Sequence, residues 1–390
     1  MAHEVCKCLT NYDCKNKILA VTCDNAMNNE NMIGRIKEKL PESRMDADSF
    51  IRCLGHVLNL VCKTILKELN TGTIEEADTL AKKEKYDPSD YDISPILKIR
   101  SVSIHCNRSP QRFDKWSRIC QIHNTSIKHI QYDIKIRWNS TYRMICNALD
   151  LIDEYNEYVS VCSLDVFEMS QDEWSYLRQI KQVFEKFDEF TCIVSKNDPQ
   201  ITMSLPIYYA LCDHLSDIKD QEKEYKDFDH RIISAVKVGY SHFEKYYDGM
   251  DANDTYFIAA SLDPRFKMSL IEQVCHEDDV NDIKSHLKNK LKKMYPQESD
   301  QAVNTTEPKG LLSKMLANRQ KASFKTSDVD RYFDSNYLDL PEECNILQWW
   351  RDHQTEYPVM ARVARDYLAI PCASVSVERC FSSGRDVLGH

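Results

Sequence analysis

The sequence predicts an α/β segment joined to a large all-α part, and two observations carry that reading. Near the N-terminus, two short apolar runs rich in branched residues, at 18–23 and 50–54, each lead through a turn into an amphipathic helical pattern. Strand, helix, strand, helix is the order of an α/β unit. From Thr141 to about Lys293 the apolar residues instead recur at helical spacing. Composition agrees: only 8 glycines and 12 prolines stand against 20 tyrosines, a mix that suits long helices better than a turn-rich β-protein. The 390 residues allow two or three domains, and a hydrophobic content of 42% is enough to bury a core.

The elements follow in order. Ile18, Leu19, Ala20 and Val21 open a buried strand that stops at Asp24-Asn25. Residues 31–40 read as a short helix with Met32, Ile33, Ile36 and Leu40 on one side, closed by Pro41. After the second strand, Gly55-His56 opens an apolar helix through Val57, Leu58, Val61 and Ile65. Residues 69–92 are polar, contain Gly72 and Pro88, and read as an exposed linker. Residues 132–136 alternate like a third strand. Met144, Ile145, Ala148 and Leu149 begin the helical series, and Trp174, Leu177, Ile180, Phe184 and Phe187 continue it. Residues 297–309 are poor in apolar side chains and read as a mobile loop. Tyr357, Met360, Ala361, Ala364, Tyr367 and Leu368 mark a helix stopped by Pro371, after which Ser374 or Ser376 is suited to cap a final one.

Net charge is −10, which weighs weakly against wholesale nucleic-acid binding. Its distribution points the other way. Residues 95–145 hold ten Lys or Arg, among them Arg112, Lys115, Arg118, Lys135 and Arg137, against Asp114 and Asp133 alone, a local balance of +8. Phe113, Trp116, Tyr132 and Trp138 interleave with them, as a phosphate-contacting, base-stacking surface requires; a solvated basic face is the plain alternative. The 16 cysteines are scattered and form no C-x-x-C, which reads as small buried hydrophobes in a reducing compartment. No stretch approaches the roughly 20 apolar residues of a membrane helix, and no signal peptide opens the chain. The expectation is a soluble, intracellular protein without membrane contact.

Few residues carry chemistry. Asp24 stands just past a predicted strand, where a carboxylate reaches a metal without breaking strand hydrogen bonds. Two-metal phosphoryl transfer needs about three such donors around ions roughly 4 Å apart. Asp-Asn is equally a common turn pair. Cys53 and His56 are spaced as two zinc ligands are, but a structural zinc needs four. The other reading is a packing and hydrogen-bonding unit at a strand-to-helix junction, and no structural zinc is expected. Arg137 offers a bidentate phosphate contact and Trp138 a flat face for an unpaired base, while Ser140 and Thr141 are suited to cap the next helix. Residues 262–267, Leu-Asp-Pro-Arg-Phe-Lys, read as a structural helix-end turn broken by Pro264. Glu378 lies on the predicted last helix, where a surface ion pair with Arg379 or Arg385 competes with a metal role.

Five ordered blocks together resemble the hAT superfamily of cut-and-paste DNA transposases: Val21-Thr22-Cys23-Asp24-Asn25-Ala26 with Asn28-Asn29; Arg52 through Leu60; Arg137-Trp138-Asn139-Ser140-Thr141-Tyr142; Leu262 through Lys267; and Ala369-Ile370-Pro371 through Ser376-Val377-Glu378-Arg379-Cys380-Phe381-Ser382. The resemblance implies a ribonuclease-H-like α/β core interrupted by a helical insertion domain. It also implies three acidic residues, two Asp and one Glu, holding two divalent ions, Mg²⁺ or Mn²⁺. Asp24 matches the second Asp and Glu378 the Glu, as catalytic and metal-binding residues. Trp138 falls in the motif whose Trp stacks on a flipped base. Arg137, Arg112, Lys115, Arg118 and Lys135 join it as DNA-binding residues. Cys53 and His56 match a Cys-x-x-His motif that supports the active site. Tyr357, Met360, Tyr367, Leu368 and Phe381 fall in the family's dimerisation region.

The implied division is 1–68, first part of the core; 69–92, linker; 93–140, basic segment; 141–296, insertion domain; 297–326, mobile linker; and 327–390, dimerisation region with the final core helix. The family's first catalytic Asp lies on an earlier strand. Here 23 residues precede Asp24, reading as a helix plus a turn that holds Asp13, and the family's N-terminal zinc finger has no counterpart. Only 12 residues follow Glu378. The expectation is an incomplete core, clipped at both ends. It would belong to a nuclear, transposase-derived protein that binds DNA, forms homodimers or higher homo-oligomers, takes no small-molecule substrate and is catalytically impaired. The alternatives are a fragment of an active Mg²⁺-dependent transposase, or a helical interaction scaffold without DNA contact.

Overall fold

Helix α1 (Ala2–Asn11) precedes strand β1 (Val21–Cys23), and α2 (Met27–Lys39) returns the chain to strand β2 (Phe50–Arg52). The two strands pair in parallel, Val21 opposite Phe50 and Cys23 opposite Arg52. A parallel pair needs such a crossover because a tight turn cannot reverse the chain between the strands. The computed structural model describes residues 1–82, 93–126, 138–196, 201–296, 327–341 and 343–374. The third strand expected at 132–136 and the stretch 297–326 lie outside them. Helix α2 begins at Met27, earlier than its apolar pattern, because Asp24 accepts the Ala26 amide and turns the chain into the helix. Its Ile36 and Leu40 pack on Ala2 and Cys6 of α1. Asp13 occupies the expected turn, at a φ of +52°.

The remaining described elements are helices: α3 (Leu54–Glu68), α4 (Ile74–Lys82), α5 (Pro95–Asn107), α6 (Pro110–Ile122), α7 (Trp138–Asp150), α8 (Ile152–Val161), α9 (Gln171–Val194), α10 (Ser204–Lys219), α11 (His230–Asp251), α12 (Asp254–Ser261), α13 (Ser269–Val274), α14 (Glu277–Met294), α15 (Asp328–Asp334), α16 (Ile346–Asp352) and α17 (Pro358–Tyr367). Helix α4 corrects the exposed linker expected at 69–92. Thr73 and Glu76 form a capping box, each side chain bonding the other's backbone amide, and Ala77, Leu80 and Ala81 are buried. Helix α7 already contains Ser140 and Thr141, so neither caps it.

The chain divides into two compact units. Met1–Gly55, Val194–Tyr209 and Tyr247–His390 form the first; His56–Ile193 and Ala210–Tyr246 form the second. The helical span expected as one insertion domain is therefore shared between both. The second unit has an aromatic core in which Trp116, Tyr155, Tyr158, Trp174, Phe184 and Phe187 are fully buried.

Candidate functional site: a strand end and a basic helix face

Asp24 follows directly on β1, and Cys53 follows on β2. The Cys53 amide donates to the Cys23 carbonyl at 2.8 Å, extending the parallel ladder by one bond. Asp24 and Cys53 thus stand side by side at the carboxyl ends of neighbouring strands, about 4.8 Å apart along the hydrogen-bonding direction. This is the edge of an α/β sheet where ligands bind. The Asp24 side chain is exposed. Its Oδ1 accepts the Asn29 side-chain amide at 2.5 Å and the Ala26 amide at 3.2 Å, so the turn reading and an outward carboxylate hold together. Burial, reinforced by Asp24 and Cys53, pushes the Cys23 thiol up. Burial also pushes Cys372 up to about 12. Both stay protonated at neutral pH and are poor metal ligands.

The C-terminal segment returns to this edge. Thr22 Oγ1 donates to the Pro371 carbonyl at 2.6 Å, and the Leu54 amide donates to the Cys372 carbonyl at 2.9 Å. The Ser374 amide donates to Cys53 Sγ at 3.3 Å, and the Ser374 hydroxyl lies 3.3 Å from the same sulfur. Sequence reasoning gave Thr22 no role of its own and Ser374 only that of a candidate helix cap. A contact across 349 positions leaves no local signal. Cys53 therefore serves the packing and hydrogen-bonding role, while His56 sits in the first turn of α3. Among the described residues no three His, Cys, Asp or Glu side chains are placed to hold a metal ion. A divalent ion here would take Asp24 and further oxygen donors. Glu378, the expected partner, lies outside the described residues, as do Arg137, Lys135 and Phe381.

In the basic segment, helix periodicity sorts the side chains. Trp116, Ile119 and Cys120 share the buried face of α6. Lys115 and Arg118 are exposed and Arg112 partly so, and none of the three makes an ion pair among the described residues. Other cations of the segment serve the fold: Arg100, buried, donates to the Thr71 and Gly72 carbonyls, and Lys98 pairs with Glu173 at 2.6 Å. The aromatics expected for stacking include two core residues. Trp116 meets Tyr158 edge-on at 5.6 Å. Trp138 is 4% exposed and packs against Tyr142, Phe184 and Phe187. It offers no free face for a base, because α7 turns it inward with Thr141, Tyr142 and Ile145.

A similar correction applies to the side chains expected to contact a second copy. Tyr357, Met360, Tyr367 and Leu368 are all buried within this chain. The amphipathic face of α17 meets its own unit: Tyr357 lies edge-on to Tyr332 at 5.5 Å, and buried Asp328 accepts the Val359 and Met360 amides at the start of α17. Among the described residues of this region, the exposed large apolar side chains are instead Tyr337, Leu338 and Leu347. The turn at 262–267 has the structural role expected of it. Tyr332 donates to the Ser261 carbonyl, Trp350 Nε1 to the Leu262 carbonyl, the Leu338 amide to the Pro264 carbonyl, and Lys267 Nζ to the Ser335 hydroxyl, at 2.7–3.1 Å.

A separate cavity of about 500 Å³ in the first unit is lined by Tyr209, Tyr247, Phe257 and several aspartates. One of these, Asp254, is engaged by His286 and Lys290. No described helix is long and apolar enough to cross a membrane.

Comparison with known proteins adds to this geometry. Four family models match: the ZBED1 RNase-like domain over residues 1–49, the ZBED1 RNase-like helical domain over 51–183, the hAT-like transposase RNase-H fold over 207–297, and the hAT family C-terminal dimerisation region over 328–389. The range 207–297, expected as helical insertion, is thus matched by an RNase-H-fold model although its described elements here are helices. The chain is 27% identical to a putative AC transposase of Zea mays, over 97% of this chain and 47% of that protein. It is 24% identical to a putative transcriptional regulator, tpeD, of Talaromyces stipitatus, over 95% and 43%. It is 23% identical to the zinc finger BED domain-containing protein RICESLEEPER 3 of Oryza sativa subsp. japonica, over 94% and 48%. The chain spans about half the length of these curated relatives. With RNase-like, helical and dimerisation models matched in succession along it, the chain is similar to hAT-family transposases and BED-finger proteins over most of its length.

Proposed function

We propose that this chain is a transposase-derived nuclear protein that binds DNA and associates with copies of itself, and that its own residues give it impaired cleavage chemistry. The observation that carries the reading is the return of the C-terminal segment to the Asp24 strand end, through Thr22 and Pro371 at 2.6 Å. Glu378 follows Ser374 by four residues in sequence, a span of at most about 14 Å when fully extended. Asp24 and Glu378 would hold Mg²⁺ or Mn²⁺, an ion that polarises phosphoryl oxygen and activates water. Two carboxylates hold such ions less firmly than the family's three, so strand cleavage by these residues alone is weak or absent.

DNA contact falls to α6, where exposed Lys115 and Arg118 and half-buried Arg112 have no carboxylate partner among the described residues. Self-association falls to the region matched by the dimerisation model, through exposed side chains rather than Met360 or Tyr367.

Two measurements on the full chain test this. With Mg²⁺ and hairpin or terminal-repeat DNA, little nicking is expected, and efficient nicking overturns the impairment. DNA affinity should fall steeply between 50 and 200 mM salt. Replacing Arg112, Lys115 and Arg118 together by Ala should reduce the salt slope by up to about 3. No binding even at low salt supports the scaffold reading instead.

A further inference from the structure

We propose that the cavity in the first unit is a binding site for an organic cation, a protonated amine on an aliphatic stem, held between two tyrosine rings and three carboxylates. The proposal stands apart from the strand end and from α6.

The cavity, about 500 Å³, is of the size that small-molecule sites have. Four helices supply the side chains that matter, and helical spacing decides what each contributes. Asp279, Asp282, Ile283 and His286 stand at i, i+3, i+4 and i+7 of α14 and so share one face. Tyr247 and Asp251 lie one turn apart on α11, Asp254 and Phe257 one turn apart on α12, and Tyr209 comes from α10. The rings of Tyr209 and Tyr247 meet at 82° with centroids 5.8 Å apart, forming two walls of a corner. An aromatic face attracts a cation through its quadrupole, and its apolar body packs against an aliphatic stem.

The carboxylates divide into one that is neutralised and three that are not. Asp254 lies 2.8 Å from His286 Nε2 and 2.9 Å from Lys290 Nζ. Burial raises its carboxyl, but hydrogen bonds from Lys290 and His286 outweigh this and hold it below the usual range. Asp251, Asp279 and Asp282 make no ion pair among the described residues. Asp251 Oδ1 accepts only the neutral Tyr209 hydroxyl, at 3.2 Å. Burial, then Cys275 and Asp251, pushes that phenol up, so it stays uncharged. Asp279 stands in the first turn of α14, where the helix dipole favours an acid. Asp282 lies beyond that turn and faces Asp279 from one turn away, a like-charge pair that costs stability unless a cation screens it. A metal ion fits poorly, because among the described residues no three His, Cys, Asp or Glu side chains are placed to hold one. An ammonium with methylene groups needs no coordination shell and satisfies both the rings and the acids.

The test titrates the full chain by calorimetry with spermidine, with the tripeptide acetyl-Gly-Lys-Gly-amide, and with the same tripeptide acetylated on its lysine. One saturable site is expected for spermidine or the lysine tripeptide and none for the acetylated form. The tighter of the two amines shows whether the source is a free polyamine or a protein side chain. Asp279→Asn combined with Asp282→Asn should weaken binding about fivefold, and Tyr247→Leu about threefold. Glu38→Gln, at an exposed carboxylate of α2 outside the cavity, should change nothing. Absence of saturable amine binding overturns the proposal. So does equal weakening in Glu38→Gln, which means diffuse attraction to the net charge, and so does stoichiometric displacement of the amine by Mg²⁺, which makes the site a metal centre. Thermal unfolding checks each variant. Asp279 and Asp282 are exposed, so their substitutions carry the comparison if Tyr247→Leu does not fold.

Discussion

Helices α6 and α17 both read, in sequence, as surfaces for a partner, and the structure treats them oppositely. In α6 the cations Lys115 and Arg118 are exposed and Arg112 is partly so, while Trp116 and Cys120 fill the core. In α17 the residues expected to meet a second copy, Met360 and Tyr367 among them, are themselves core. The difference lies in what each pattern measures. An apolar stripe at helical spacing reports that a helix is covered, and its own chain is the nearest cover. A run of like charges gains nothing from its own core, so where it stays unpaired it remains available to an outside anion.

The largest effect that breaks or sharpens this contrast is at Met360. Met360→Asp places an unpaired carboxylate in a site with no exposure and should cost about 4 kcal/mol or more, seen as unfolding at much lower denaturant. Leu347→Asp, on a side chain 50% exposed, should stay within about 0.5 kcal/mol of the parent. Similar losses at both positions would mean that α17 and its surroundings are covered only in the oligomer.

An intermediate effect concerns the inner side of the basic segment. Burial, then Arg112, Arg108 and Lys115, pushes His105 down from its ordinary 6.5 to about 4. Between those values the unfolded chain binds the proton and the native chain does not. The stability due to neutral His105 is therefore complete above about pH 6.5 and is lost as pH falls toward 4. A His105→Gln variant should show a flatter decline of unfolding midpoint across this range, and matching declines would remove His105 from the account. The smallest effect is at α4: Thr73→Ala breaks the capping box and should cost about 1 kcal/mol, measured by denaturant unfolding.

Much of the fold was legible where local chemistry decides. Both strands were placed by their apolar runs and bounded by Asp24-Asn25 and Gly55-His56. The break at Pro264 and the helix ending before Pro371 followed from proline alone. Helix α4 was missed although Thr73-x-x-Glu76 spelled its start, because Gly72 and the surrounding charge drew attention to a loop. Trp138 was misread for a different reason: a Trp among cations looks the same in sequence whether it faces a base or Phe184 and Phe187. The position of Asp24 at the end of β1 was legible as well, since it needs only its strand. The clasp of Thr22 and Cys53 on residues 371–374 joins the two ends of the chain, and no windowed pattern registers such a pairing.

The four hydrogen bonds gathered at residues 261–267 have a consequence for evolution. They fasten α15, α16 and the loop between them directly to the end of α12. Selection on residues 261–267 therefore acts on two later helices at once: a change at the turn must keep the carbonyls of Ser261, Leu262 and Pro264 where Tyr332, Trp350 and Leu338 reach them.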